Sequence, residues 1–301
     1  MWFQPARTKG IFIYMTRCRE ITLDVSDTTL SLTEWAGAGD PILLIHATGF
    51  HRHCWNEIVA RLPERHIYTV DLRFHGASGQ NGEVRWELMA NDIEEMLKKL
   101  DLNQLIGAGH SLGGHILTRV AAKVPERFKH IVLIDPVIMS PQRAVEAMEA
   151  TRGLEPTDHP VSRRKKLWQD AEEMYQRFKD RAPFDTWQPQ VLRDYCNHAL
   201  RPPREGAQRQ LACDPINEAA IYLNHSGMED IFEQLDKVRV PATLLRAPPG
   251  DGKQHKPLDS PTWSKLASAL PDCRDVYLPD HNHFIPMQDP ELVAGHIGNI
   301  R

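Results

Sequence analysis

Short, wholly apolar runs punctuate the first half of the chain: 41–45 (Pro-Ile-Leu-Leu-Ile), 67–70 (Ile-Tyr-Thr-Val), 105–108 (Leu-Ile-Gly-Ala) and 131–134 (Ile-Val-Leu-Ile). Runs of this length with no polar alternation suit parallel strands buried on both faces. Between them the apolar positions recur every three to four residues, at Trp86, Met89, Ile93, Met96 or Leu97 and Leu100, then at Ile116, Leu117, Val120 and Val124, which is helical spacing. Strand and helix therefore alternate, and the pattern predicts crossover units around a parallel sheet. Two alternating stretches ahead of this region, from Ile21 to Val25 and from Leu30 to Trp35, predict a hairpin turning at Asp27-Thr28-Thr29.

After Pro136 about 100 residues pass with helical patterns and no convincing buried strand. One pattern, Leu167, Ala171, Met174 and Phe178, is headed by the basic run Arg163-Arg164-Lys165-Lys166, for which a solvated helix face is the expectation. Strand rhythm returns at 242–245 and 276–278, with a helix around Trp263, Leu266 and Leu270 between them. Asp289-Pro290 then supplies a cap and a first-turn proline for a last helix. The division expected is an N-terminal extension over 1–20, an α/β core over 21–136 and 238–301, and a helical cap over 137–237 set into that core. The extension fits no element, and Met15 stands as an alternative start.

Charge and cysteine usage narrow the classes. A net charge of −4 with mixed signs offers no basic stripe for nucleic acid. Cys18, Cys54, Cys196, Cys213 and Cys273 are odd in number and form no CxxC pair, which speaks against a disulfide framework or a zinc site. No apolar run approaches the roughly 18 residues of a membrane helix, and the start lacks a signal-peptide pattern, so a cytoplasmic protein without a membrane span is expected. A homodimer stays open.

The chemistry centres on Gly109-His110-Ser111-Leu112-Gly113-Gly114, where a strand pattern runs directly into a helix pattern. That is the context of a nucleophile elbow, with Ser111 on a sharp turn that demands small neighbours. A serine hydroxyl needs an oriented base and a carboxylate, in the chain order Ser, acid, His. His283 lies just past the last strand, with His281 its near rival. For the acid, Asp251 follows the strand ending near Arg246, and Asp135 at the end of 131–134 is the alternative; Asp259 and Asp280 are remoter choices. Oxyanion donors are expected from the amide of Leu112 and from the loop His46-Ala47-Thr48-Gly49-Phe50, with Thr48 first and Phe50 as the alternative.

These motifs, together with Asp71-Leu72-Arg73-Phe74-His75-Gly76-Ala77-Ser78 and His283 ahead of Asp289-Pro290-Glu291, resemble the α/β-hydrolase superfamily from about residue 20 to the end. Ala47 and Phe74 stand where that family usually carries glycine. The resemblance implies an α/β-hydrolase fold and a serine esterase or lactonase acting on a small, apolar ester or lactone through an acyl-Ser111 intermediate. Carbon–carbon bond hydrolysis, a lyase step or cofactor-free oxygenation with the same Ser/His pair is the alternative, and a non-catalytic binder the third class. Epoxide hydrolase and dehalogenase chemistry would need a carboxylate at Ser111. His46, His51, His53, His75, His110 and His115 gather near the expected catalytic edge, but their spacing matches no ligand set, so no metal or other cofactor is expected. His46 and His110 are expected to bond within their own loops. The pocket is expected from His51, His53, His110, Trp187 and Tyr222, in an aromatic cap that also holds Trp168, Tyr175, Phe178 and Tyr195.

Overall fold

The computed structural model describes residues 18–202, 208–224, 228, 230–250 and 258–300. A hairpin of β1 (Cys18–Val25) and β2 (Thr28–Trp35) leads into β3 (Ala38–Ile45), helix α1 (Asn56–Ala60), β4 (Arg65–Asp71), α2 (Trp86–Lys99), β5 (Leu105–His110), α3 (Leu112–Lys123) and β6 (Phe128–Ile134). These join β10 (Ala242–Arg246) and β11 (Cys273–Tyr277) in one sheet of order β1-β2-β4-β3-β5-β6-β10-β11. From β4 to β11 all neighbours run parallel, and the hairpin is the antiparallel edge. The hairpin begins at Cys18 and turns at Ser26-Asp27, one residue earlier than the sequence pattern places it; Val25 pairs with Thr28. Ser26 takes φ +43° there, and its amide donates to Glu95 Oε2 at 2.8 Å.

Successive residues of the central strands feed two separate cores, as a pleated strand requires. Leu43, Ile45, Val70, Leu105, Ile131, Leu133 and Leu244 pack with Met89, Ile93, Ile116 and Val120 of α2 and α3. Ile42, Leu44, Ile67, Ile106, Val132, Ile134 and Leu245 pack on the opposite side with Trp55, Ile58, Val293 and Ile297. Burial on both faces is why these strands read as unbroken apolar runs.

Between β6 and β10 the chain leaves the sheet and forms α4 (Pro141–Thr151), β7 (Leu167–Trp168), α5 (Ala171–Phe178), α6 (Pro189–His198), β8 (Leu200–Arg201), β9 (Arg209–Leu211) and α7 (Pro215–Leu223). The three strands make a small antiparallel sheet, β7-β9-β8, which apolar patterning does not reveal because two or three residues carry no period. The helix expected from Leu167 starts only at Ala171. Asp170 caps it by accepting from the Glu173 amide at 2.8 Å, and Leu167 stays in β7, half-exposed. The basic run also departs from expectation, since Arg164 turns inward to Glu218 and Tyr195 rather than into solvent.

After β10 the helix expected around Trp263 is confined to α8 (Leu266–Ala269). The chain closes with α9 (Ile285–Gln288) and α10 (Pro290–Gly298), and Asp289 caps the last helix by accepting from the Leu292 amide at 2.9 Å. No helix among the described residues is long and apolar enough to cross a membrane. All five cysteines are free thiols.

Candidate active site

Ser111 stands alone between the last residue of β5 and the first of α3, with φ +56° and ψ −117°. Such a backbone is strained for a residue with a side chain and persists only where its surroundings hold it. Here the Ser111 amide donates to Ile134 O at 3.0 Å, while its carbonyl accepts from Gly114, His115 and Val137 at 3.0–3.1 Å. The tight turn leaves no room beside it. A Cβ on Gly109 would collide with the Gly113 carbonyl, and one on Gly113 would collide with Ile45 O and lie 2.6 Å from His46 O. Both obstacles at Gly113 are main-chain atoms, of the last residue of β3 and the residue after it, and cannot rotate away. Gly113→Ala is therefore expected to destabilise the protein by about 3 kcal/mol, read as a drop in the thermal midpoint; an unchanged midpoint contradicts this packing.

His283 Nε2 lies 3.0 Å from Ser111 Oγ, and its Nδ1 lies 2.7 Å from Asp135 Oδ2. Asp135 is fully buried at the end of β6, and its other oxygen accepts from the Ala247 amide at 3.0 Å and the Ser260 hydroxyl at 2.6 Å. Both carboxylate oxygens are thus engaged, which fixes the carboxylate and, through it, the imidazole. Asp251, the first choice for this position from sequence, lies outside the described residues; the partner of His283 is Asp135. His281 turns the other way, with Nε2 3.6 Å from Asp289 Oδ2. A hydroxyl, an imidazole and a carboxylate in this order can pass the hydroxyl proton to the ring as the oxygen attacks an electrophilic carbon.

The loop after β3 crosses the start of α3. Leu112 is the first residue of that helix, so its N–H has no acceptor four residues back. The Thr48 N–H likewise meets no acceptor among the described residues, whereas the Gly49 amide donates to His75 Nε2 at 3.0 Å and the Phe50 amide to Ala47 O at 3.2 Å. Phe50 is therefore committed within its own turn, and Leu112 and Thr48 carry the available donors.

A small cavity opens beside this loop, lined by Gly49, Phe50, His51, Arg164, Tyr195 and Cys213 among others. Rings from both sides of the molecule meet here. Phe50 packs edge-on to Trp187 at 5.4 Å and Tyr195 at 5.5 Å, and Phe284, next to His283, lies 5.6 Å from Trp187. Of the residues expected to form the pocket, His51 lines this cavity and Trp187 belongs to the ring cluster behind it. His53 instead stacks on His198 at 3.7 Å, and Tyr222 stacks on His159 at 5.3 Å, about two-fifths exposed (42%). Neither lines the cavity. His110 is fully buried and donates from Nε2 to the His283 carbonyl at 2.8 Å, so it joins the elbow to the base-bearing loop rather than bonding within its own. His46 does bond within its own loop, donating from Nδ1 to the Ala47 carbonyl at 2.7 Å, and it also accepts from the Leu72 amide at 3.0 Å.

Burial pushes these histidines down from 6.5: His46 and His75 to about 3, His51 and His115 to about 4, and His53 to about 2, the last with His198 adding repulsion. They fold neutral, and the unfolded chain binds protons more readily. Their contribution to stability is fully present above pH 6.5 and is lost as the pH falls from there toward 4 and below. Each contributes a slope approaching about 1.4 kcal/mol per pH unit in that window. The thermal midpoint is expected to be flat from pH 8 to 7 and to fall steeply below 6; a flat curve down to pH 5 contradicts neutral burial. Among the described residues no group of three or more His, Cys, Asp or Glu side chains is arranged to hold a metal.

The sequence profile of the Alpha/beta hydrolase family matches residues 42–296. The chain belongs to this family. Among its relatives, the 2-(acetamidomethylene)succinate hydrolase of Mesorhizobium japonicum is 25% identical over 281 residues, covering 92% of this chain and 93% of the relative. An esterase of Mycobacterium tuberculosis is 29% identical over 126 residues, 41% of this chain and 42% of that protein. A further M. tuberculosis protein, 33% identical over 101 residues, is matched over only 30% of its length. The crystal structure of an E-2-(acetamidomethylene)succinate hydrolase superposes with a TM-score of 0.74 at 23% identity, over 94% of this chain and 98% of that one. The enol-lactonase of Burkholderia xenovorans superposes at 0.63 with 18% identity, over 93% and 99%. These neighbours share the alpha/beta hydrolase fold.

Three residues at this site carry no sequence signal. Ser260 is a lone loop serine whose hydroxyl donates to Asp135 and accepts from the Thr262 amide at 3.2 Å. Arg164 reads as one of four surface cations, and Glu218 as an ordinary helix residue, yet they pair in the interior beside Gly49. An inward charge shows itself only when its partner, 54 residues away, is known.

Proposed function

We propose that this alpha/beta hydrolase is a serine hydrolase that cleaves a carboxylic ester or lactone of a small molecule through an acyl-Ser111 intermediate. His283 acts as the base, Asp135 orients it, the amides of Leu112 and Thr48 hold the oxyanion, and residues 137–237 serve as a cap. The observation that carries this reading is the continuous chain of contacts from Ser111 Oγ through His283 to Asp135 at 3.0 and 2.7 Å. In the forward step Ser111 Oγ attacks the carbonyl carbon and His283 Nε2 takes its proton, then returns it to the departing alcohol. Water repeats the sequence in reverse to release the acid. The rings of Phe50, Trp187 and Phe284 would receive the apolar part of the substrate.

A fluorophosphonate probe tests this directly. Ser111 Oγ displaces fluoride and stays phosphonylated, so peptide mass mapping is expected to find one label, on Ser111, together with loss of p-nitrophenyl ester turnover. An unlabelled protein overturns the reading. A second reading, cleavage of a bond other than an ester, is favoured by the full-length relative named for acetamidomethylene succinate.

A further inference from the structure

The Asp135 carboxylate is fully buried, and no lysine or arginine among the described residues forms an ion pair with it. Three donors share it instead. The Ala247 amide and the Ser260 hydroxyl reach Oδ1 at 3.0 and 2.6 Å, and His283 Nδ1 reaches Oδ2 at 2.7 Å. Each donor stabilises the charged form, so each makes the carboxylate a weaker base toward the other two. Of the two donors on Oδ1, only Ser260 acts through a side chain.

Ser260 is held so that its proton has one place to go. The residue is 1% exposed, and its amide donates to Pro248 O at 3.3 Å. Its oxygen accepts from the Thr262 amide at 3.2 Å, which leaves the single hydroxyl proton to face Asp135. The segment runs along the chain that leaves β6: the Thr262 hydroxyl donates to Pro136 O at 2.8 Å, and the Trp263 amide to Ile138 O at 2.8 Å. Two hydroxyls, two residues apart, therefore meet Asp135 and Pro136 in turn, but only Ser260 touches the carboxylate.

The other titratable groups around the pair are engaged elsewhere. His110, whose ring lies 5.1 Å from that of His283, is held far below its ordinary value by burial and donates to the His283 carbonyl. Asp259 presses its carboxylate on Gly250, His281 faces Asp289, and Arg246 pairs with Asp275.

We propose that Ser260 is a positioning residue for the reaction, whose hydroxyl takes a share of the Asp135 charge and so sets how strongly His283 holds its proton. This rests on the hydrolase reading above and deepens it. Without the hydroxyl, the carboxylate grips the imidazolium more tightly, and His283 stays protonated to higher pH. Ser260 also tethers the oxygen that faces away from the base, which keeps Oδ2 turned toward Nδ1.

The acid limb of kcat/KM on p-nitrophenyl acetate reports the proton on His283 in the free enzyme. Ser260→Ala is expected to move that limb about 0.5 pH unit upward, and to lower kcat about fivefold with KM within about twofold of native. Thr262→Val removes the neighbouring hydroxyl of the same segment without touching the carboxylate. It is expected to lower the thermal midpoint and leave the limb unmoved. A limb unmoved in Ser260→Ala, or moved equally in both variants, overturns the proposal and leaves Ser260 a structural brace. Where the alanine variant does not fold, Ser260→Cys carries the test, its weaker donor giving a smaller shift in the same direction and an unmoved limb overturning the proposal. Failure of the ester reading looks different, as the native protein then turns over no ester. The imidazole signals of His283, assigned by their loss in His283→Ala, in that case give the same comparison by NMR titration without substrate. Equal titration of native and Ser260→Ala protein overturns the proposal.

Discussion

Ser111→Ala is expected to lower kcat on short p-nitrophenyl esters by about 10⁶, and His283→Ala by a similar factor. The two side chains act as one unit, because the hydroxyl is nucleophilic only as its proton moves to the ring 3.0 Å away. The double variant should consequently be no worse than either single one. Residual turnover above the background in water is expected to come from the two N–H donors at Leu112 and Thr48, which neither substitution touches. Initial rates on the purified variants decide the matter. Turnover that survives Ser111→Ala and vanishes in His283→Ala would replace the acyl-serine mechanism with one in which the imidazole abstracts a proton unaided.

The second large effect falls on the carboxylate. Asp135→Asn is expected to cost about 10⁴ in kcat, whereas Asp251→Asn is expected to leave it within about twofold of native, since the single Nδ1 proton of His283 is already taken. The amide can still accept from the Ala247 N–H and the Ser260 hydroxyl through one oxygen, so the fold is kept. Its NH2 group then faces Nδ1, which must turn acceptor, and the ring presents Nε2–H instead of a lone pair toward Ser111. The loss is one of tautomer rather than of structure. A normal thermal midpoint with collapsed activity is the expected signature; a large effect from Asp251→Asn with a small one from Asp135→Asn would move the acid to the later loop.

The elbow was legible because several constraints coincide in a few residues: a strand buried on both faces, a turn that admits only glycine at positions 109 and 113, and a helix starting at once. The base was legible for its place between the last strand and a well-capped helix. The acid was not, and the sheet explains why. β6 and β10 are adjacent parallel strands with Ile134 opposite Leu245, so both strands end at the same edge of the sheet. Sequence order cannot separate neighbours in space. The inward turn of Arg164 and the short strands of the β7-β9-β8 sheet escaped for a related reason, since each depends on contacts between distant segments rather than on any local period.

The chain that departs from β6 is pinned as it leaves. Asp135 donates its amide to Leu245 O at 2.7 Å, the Pro136 carbonyl accepts from the Thr262 hydroxyl at 2.8 Å, and Val137 donates to the carbonyl of Ser111 at 3.1 Å. Variation beyond Val137 therefore starts from a fixed point on the elbow itself. On the proposed reading of 137–237 as a cap, lengthening, trimming or exchanging that segment would alter what is recognised without shifting the atoms that react. Selection can work on the appetite of such an enzyme while its chemistry is inherited intact, and a graft made at Val137 is where an engineer would begin.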